Sequence, residues 1–488
     1  MMPVELENLI DHVQVLKAET QTLELKAAAQ GCPTRLYDTL SSFSNQDEGG
    51  TILFGVDEQA GFVPVGVYDA QDLMKHVTEQ CGQMMPVIRP VFTTLLKNGK
   101  AFVSAEIPGI DVADRPCFYA GKGRLKGSYV RTGDADQPMT EYEIYSYEAF
   151  RRKYQDDIRP VEQAGWSTLN KDSLELYLSK LKVGRPNLSK LKAEEICELV
   201  GLTREGIPTL AAVLLFSLFP QGYFPQLCVT AVSVPGTEVG QLGPEGERFL
   251  DNRRIEGTLT EMLEDALAFV RKNIRIKTII DTETGKRADR EDYPLTAVRE
   301  AILNALIHRD YSLHTEGMPI QILLFEDRLE IKSPGGLYGR LRLDQLGKVQ
   351  PDTRNPVLAV AMEVLGETEN RYSGIPTMRR ELARAGMPEP EFWDERGTFV
   401  VCFRKGKQTA QNEELDTVYD YDTTDENLLH FCVIPRTRRE IAEFLGIKSV
   451  PYAITTYVSP MVEKGLLTLS IPEKPRSPKQ RYTAKQPE

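Results

Sequence analysis

The stretch Glu300–Tyr311, EAILNALIHRDY, carries Glu300, Asn304 and His308 one helical turn apart. At about 100° per residue those side chains fall within an arc of roughly 80°. Val298, Ala301, Ile302, Ala305 and Leu306 fill the arc beside them, and Leu303 and Ile307 close the other side. The pattern predicts a core helix with a polar stripe hemmed in by apolar residues. Burying such groups without partners costs on the order of a few kcal/mol, so the stripe needs either a hydrogen-bonded network with neighbouring loops or a ligand. In the ligand reading, the Asn304 carbonyl serves Mg²⁺, an oxygen-seeking ion that stays partly hydrated and is shared with phosphates. Glu300 then orients or deprotonates a water.

Working outward, residues 290–405 hold this helix, the strands MPIQILLFED and RLEIKSPGG, the helix IPTMRRELARAG and the strand GTFVVCFRK. This is the pattern of an α/β sandwich, one sheet under helices. Residues 165–285 read as an intermediate α/β region leading into it, with helical KDSLELYLSKL and LKAEEICELVGL, strand-like QLCVTAVSV and amphipathic GTLTEMLEDALAFVRKNI. Residues 1–155 form a compact α+β pattern, in which GGTILFGVDEQAGFVPVGV reads as strand, turn and strand. Residues 411–427 contain seven acids and no Lys or Arg, which marks a solvated linker. Residues 428–488 carry ten Lys or Arg against five Asp or Glu. They read as helix, turn at Gly446, helix, strand, and a second strand or wing, a helix-turn-helix spacing. The expected fold class is α+β and multidomain.

Bulk properties bound the function. A chain of 488 residues suggests about three domains. Its net charge of −12 excludes a uniformly basic nucleic-acid coat but leaves room for local basic segments. Seven scattered cysteines without a C-x-x-C pair fit reduced thiols rather than a disulfide or zinc framework. The longest apolar run, Thr209–Phe219, is far shorter than the ~20 residues of a membrane span. A cytoplasmic protein without membrane contact is expected.

Four further clusters stand out. Glu19, Glu24 and Asp57 are acids near strand ends; gathered at one end of a sheet, such carboxylates hold a divalent metal that activates water against a phosphodiester. Exposed acids at turns are the plainer alternative. Lys122, Arg124, Lys126 and Arg131 surround Tyr129 in an expected hairpin, where basic groups attract phosphate and an aromatic ring stacks on a base. In the tail, Lys448, Ser449, Tyr452, Thr455, Thr456 and Tyr457 lie on the second helix, which in such modules enters the major groove, and Lys479 and Arg481 lie on the wing. His308, Arg309 and Asp310 are expected to form a network at the helix C-terminus, with His and Arg near the negative end of the dipole.

Four ordered blocks, YPLTAVREAILNALIHRDY, FEDRLEIKSPGGL, RNPVLAVAMEVLG and ENRYSGIPTMRRELARAGMPEPEF, resemble the ATPase-like domain of bacterial transcriptional regulators. That domain is a divergent branch of the GHKL superfamily of gyrases, histidine kinases and mismatch-repair ATPases. The resemblance implies ATP and Mg²⁺ as cofactors, Asn304 as metal-binding residue and Glu300 as water-activating residue. It places Pro334, Gly335 and Gly336 at the loop that receives adenine, and Ser373 and Gly374 in the second glycine loop, where backbone amides meet phosphate. Ser333 stands in place of the family's adenine-reading Asp, and Tyr372 where the family commonly has Gly.

ETQTLELK, LSSFSNQDEGGTILFGVDEQAGFVPVGV, AFVSAEIPG and GSYVRTGDADQPMT resemble the Schlafen AlbA domain, a fold associated with nucleic acids. In its nuclease members two glutamates and an aspartate cut RNA, and Glu19, Glu24 and Asp57 occupy the matching positions. The same glutamate motif also occurs in members regarded as DNA-binding regulators. Asn45, Gly49 and Gly50 are expected to shape the loop. The two resemblances and the basic tail imply a homodimeric regulator of transcription that binds DNA rather than RNA, with a winged helix at its C-terminus and a nucleotide-binding domain in the middle. The alternatives are a Mg²⁺- or Mn²⁺-dependent nuclease acting on RNA or DNA and gated by the ATPase-like domain, and an interaction scaffold with a degenerate pocket.

Overall fold

A computed structural model of the chain describes residues 1–280, 287–367, 373–394, 397–405, 428–429, 431–432, 436–444, 454–463, 466–470 and 480–484. The chain divides into two units, Met1–Lys407 and Gln408–Glu488.

The first unit begins with a four-stranded sheet in the order Leu23–Lys26, Gly50–Phe54, Lys100–Ile107, Val91–Lys97. The first pair is parallel and the others antiparallel. Alternation along Gly50–Phe54 sends its side chains to two cores. Ile52 and Phe54 pack with Leu40 and Phe43 of the helix Tyr37–Ser44. Leu53 packs with Leu6, Ile10 and Val13 of the helix Pro3–Leu16. Gly49 has φ +68°, and a Cβ there would lie 2.1 Å from the Ile107 carbonyl oxygen, so only glycine fits this entry to the strand.

The second sheet has six strands in the order Asp251–Ile255, Val229–Ser233, Ile320–Leu324, Arg328–Pro334, Thr398–Arg404, Glu391–Asp394. The 165–285 stretch therefore does not simply lead into the sandwich. It supplies two strands of the same sheet and the helix Leu259–Asn273, and one hydrophobic core runs from Val161 to Phe403. Helix Leu295–His308 packs against Leu259–Asn273, Gly374–Arg384 and the strand Arg328–Pro334, burying Val298, Ala301, Ile302, Ala305 and Leu306. Its C-terminal carbonyls are satisfied from outside: the Asn355 amide donates to the Ile307 and Arg309 oxygens at 2.9 and 2.7 Å.

The second unit contains a short strand Arg436–Thr437, the helix Arg438–Phe444, a π-helical turn Ile454–Val458 running into the helix Ser459–Glu463, and strands Leu467–Leu469 and Arg481–Ala484. Arg481–Ala484 is the central strand, antiparallel to both others. Cys432, Ile441, Val458, Met461, Leu467 and Tyr482 form the core. The acidic segment 411–427, Gly446, Lys448, Ser449, Tyr452 and Lys479 lie outside the described residues, as do the side chains of Thr455 and Thr456. Among the described residues no helix is long and apolar enough to cross a membrane.

Candidate nucleotide site and N-terminal carboxylate cluster

The polar stripe opens into a cavity of about 430 Å³, within the size range of small-molecule sites. Glu300, Asn304 and His308 line it from the helix, Ser333, Gly335 and Gly336 from the end of the strand Arg328–Pro334 and the turn after it, and Ser373 and Gly374 from the start of the last helix. Seven of the residues assigned to a nucleotide from the sequence thus share one wall system; Pro334 is not among the lining residues, and Tyr372 lies outside the described residues.

Local chemistry explains the arrangement. A Cβ on Gly374 would stand 2.9 Å from Asn304 Nδ2 and 3.1 Å from Glu300 Oε2, so the absence of a side chain lets the helix N-terminus lie against both polar groups. Gly335 has φ +102°, and a Cβ there would meet Arg354 Nη1 at 2.4 Å. The Ser333 hydroxyl donates to the Ala305 carbonyl at 3.0 Å, which commits its proton and leaves its oxygen able to accept.

His308 departs from its expected role. It faces the cavity, reached by solvent through the opening yet surrounded by protein, and burial together with the charge of Arg354 pushes its pKa down to about 4. Its place is on the cavity wall, with Asn304 and Ser333. Arg309 and Asp310 do form a network. Arg309 is 1% exposed and donates to the Thr315 carbonyl at 2.8 Å. Asp310 pairs with Arg354 at 3.1 Å and accepts from the Tyr142 hydroxyl at 2.7 Å. Arg354, Tyr338 and Gly347 also line the cavity and were given no role in the sequence reading, although Arg354 opens the RNPVLAVAMEVLG block.

In the N-terminal domain, Glu19 and Glu24 meet at the Arg131 guanidinium, whose Nη2 lies 2.8 Å from Glu24 and 3.6 Å from Glu19. Lys26 also pairs with Glu24, and the Leu25 N–H donates to Glu19 at 2.6 Å. Burial, against the opposing Leu25 N–H and with the negative charges of Glu24 and Glu58, pushes Glu19 up to about 7. Asp57 instead accepts from the Ala60 N–H at 3.2 Å in its own turn. Among the described residues no three metal-ligating side chains converge, so the metal set of Glu19, Glu24 and Asp57 is not assembled here.

The basic segment also differs from expectation. Lys122, Arg124 and Lys126 lie on a 3₁₀ turn and the short helix Gly123–Gly127, while the hairpin is Tyr129–Thr132 with Ala135–Pro138. Arg131 and Tyr129 are buried, at 7% and 8% exposure, so neither presents itself to nucleic acid. Inside, Arg131 pairs with Asp136 at 3.0 Å and lies over the Phe43 ring. Arg124 pairs with Glu148, Lys122 is exposed but lies 3.7 Å from Asp38 and donates to the Tyr129 hydroxyl at 3.3 Å, and Lys126 is exposed. In the second unit, Arg481 is exposed at the start of the central strand.

Comparison with known proteins matches three segments. Residues 19–140 match the family described as "Schlafen, AlbA_2", and residues 317–403 the family described as "Putative ATP-dependent DNA helicase recG C-terminal". Residues 426–484 match "Filamentation induced by cAMP protein Fic-like, C-terminal domain". None of the curated proteins matches the chain. Among solved structures, the DIP2311 protein from Corynebacterium diphtheriae is 18% identical, with 92% of each chain covered and a TM-score of 0.39. The N-terminal domain of a RecG-related protein from Nitrosomonas europaea is 26% identical, covering 28% of this chain and 93% of that one, with a TM-score of 0.23.

Proposed function

We propose, for a chain that joins a Schlafen AlbA_2 domain to an ATPase-like domain, a DNA-binding regulator of transcription that senses ATP with Mg²⁺. The observation that carries the nucleotide part is the convergence of Glu300, Asn304, Ser333, Gly335, Gly336, Ser373 and Gly374 on one cavity. The donor set fits the cofactor. The amides at the start of the helix Gly374–Arg384 suit phosphate, the Asn304 amide oxygen suits a hydrated Mg²⁺, and the Ser333 oxygen would serve as acceptor for an adenine amine. Bound Mg²⁺ would neutralise phosphate charge, while Glu300 holds or deprotonates a water beside Asn304.

The regulator is favoured over the nuclease because Arg131 and Lys26 already neutralise Glu24 and Asp57 stands in its own turn. Lys122 and Lys126 on the N-terminal domain, and the basic residues 428–488 read as a winged helix, are the proposed nucleic-acid contacts. The test is incubation of labelled duplex DNA, single strands and structured RNA with Mg²⁺ or Mn²⁺, using the full chain and its Glu24→Ala variant. Retarded, intact duplex with both proteins supports the regulator. Cleavage by the wild type alone replaces it with the nuclease.

A further inference from the structure

The Pro334–Gly336 turn, one wall of the cavity, is held from behind at every residue. The Asp310 N–H donates to the Pro334 carbonyl at 2.8 Å, the Gly335 N–H to the Gly397 carbonyl at 2.7 Å, and Arg354 Nη2 to the Gly336 carbonyl at 3.2 Å. Asp310 and Arg354, 5% and 7% exposed, form a buried pair, and the Tyr142 hydroxyl closes on the same Asp310 oxygen that Arg354 contacts. The packing has no slack: a Cβ on Gly397 would lie 2.6 Å from the Tyr142 ring. Tyr142 sits in the helix Glu141–Arg152, immediately after the Schlafen AlbA_2 match ends at residue 140.

A second tie reaches the loop beyond the turn. Arg340 contacts Asp111 of the N-terminal domain at 3.1 and 3.3 Å and lies over the Phe150 ring. Phe150 meets the Tyr338 ring edge-on at 5.5 Å, and Tyr338 lines the cavity. Two separate points of the N-terminal domain and its exit helix therefore bear on the cavity wall.

We infer that the N-terminal domain is an effector of the cavity, with Tyr142 as a positioning residue that sets the Pro334–Gly336 wall through Asp310 and Arg354, and the Asp111–Arg340 pair setting the loop around Tyr338. A ligand that shifts this wall shifts the hold on the N-terminal domain, and the linkage is reciprocal. The identity of the ligand rests on the nucleotide reading above; the clamp itself does not.

The experiment uses the full chain, with Tyr142→Phe, which removes one hydroxyl, and Asp111→Ala, which removes an exposed ion-pair partner. Amide hydrogen exchange is measured without ligand, and binding of ATP with Mg²⁺ is measured separately. In Tyr142→Phe the Asp310 and Gly335 amides exchange about tenfold faster while amides of the helix Leu259–Asn273 keep their rate, the signature of a local rather than global opening. ATP affinity falls at least about threefold in each variant. Unchanged exchange at Asp310 and Gly335 overturns the clamp. Faster exchange with unchanged ATP affinity overturns the linkage. A wild type that binds no ATP defeats the nucleotide reading, and the exchange result still decides the clamp.

Discussion

Arg131 Nη2 stands 2.8 Å from Glu24 Oε2, inside the N-terminal domain, with the arginine side chain only 1% exposed. The guanidinium is shared with Asp136 and Glu19, so it is an internal counter-ion for three carboxylates. Any cation approaching Glu24 competes with it. Removing one partner of a buried pair strands the other charge, at a cost of roughly 3–5 kcal/mol. Arg131→Ala is expected to lower the unfolding free energy by an amount of that order, read as a lower urea midpoint. An unchanged midpoint would return Arg131 to the list of surface contacts.

Lys126 has the opposite character. It is exposed, on the short helix Gly123–Gly127, and its charge is available to phosphate. Lys126→Ala is expected to leave stability within about 0.5 kcal/mol of wild type. The slope of log affinity for duplex DNA against log salt should flatten by about 0.9. Identical slopes would move the contact elsewhere.

Asp157 is wholly buried and accepts from the Val357 and Leu358 N–H groups, at 2.8 and 3.2 Å, at the start of the helix Pro356–Leu365. Burial pushes its carboxyl up to about 6, against those two N–H donors and helped by the charge of Asp156. Between the ordinary aspartate pKa and about 6 the folded chain holds a proton that the unfolded chain has released, so stability falls as pH rises through that window. Asp157→Asn keeps an acceptor and removes the titration. It should therefore gain on the wild type by on the order of 2 kcal/mol between about pH 4 and about pH 7 in urea titrations. A constant difference would contradict the assignment.

Gly374 tests the phosphate end of the cavity. A Cβ on Gly374 would press against Asn304 Nδ2 and Glu300 Oε2, at 2.9 and 3.1 Å, so Gly374→Ala displaces the two side chains that the nucleotide reading assigns to Mg²⁺ and water. ATP affinity should drop by about tenfold or more, and urea titration should read separately a stability cost of about 1–3 kcal/mol, that of an added methyl group in a close-packed contact. Full retention of affinity would place the ligand away from this helix.

Much of the site was legible because it is written in local periods. Glu300, Asn304 and His308 stand out at the spacing of one turn, and the Pro334–Gly336 turn and Ser373–Gly374 follow as punctuation between strand and helix. Strands such as Val229–Ser233 were legible as strands, but their place in the second sheet was not, because pairing partners lie far off in sequence. The same distance hid Tyr142, 168 residues from Asp310. Arg131 misled through its charge, although its alternation with buried Tyr129 put both side chains on the inner face of one strand. His308 misled because a histidine at a helix end reads as a dipole partner until the cavity around it is known.

The account stands most directly on Asn304. Calorimetric titration of the full chain with ATP, in the presence and absence of Mg²⁺, compares the wild type with Asn304→Ala. The account predicts Mg²⁺-dependent binding by the wild type that weakens by at least about tenfold in the variant. Equal binding by both proteins, or none by the wild type, would contradict the reading of this cavity as a nucleotide site.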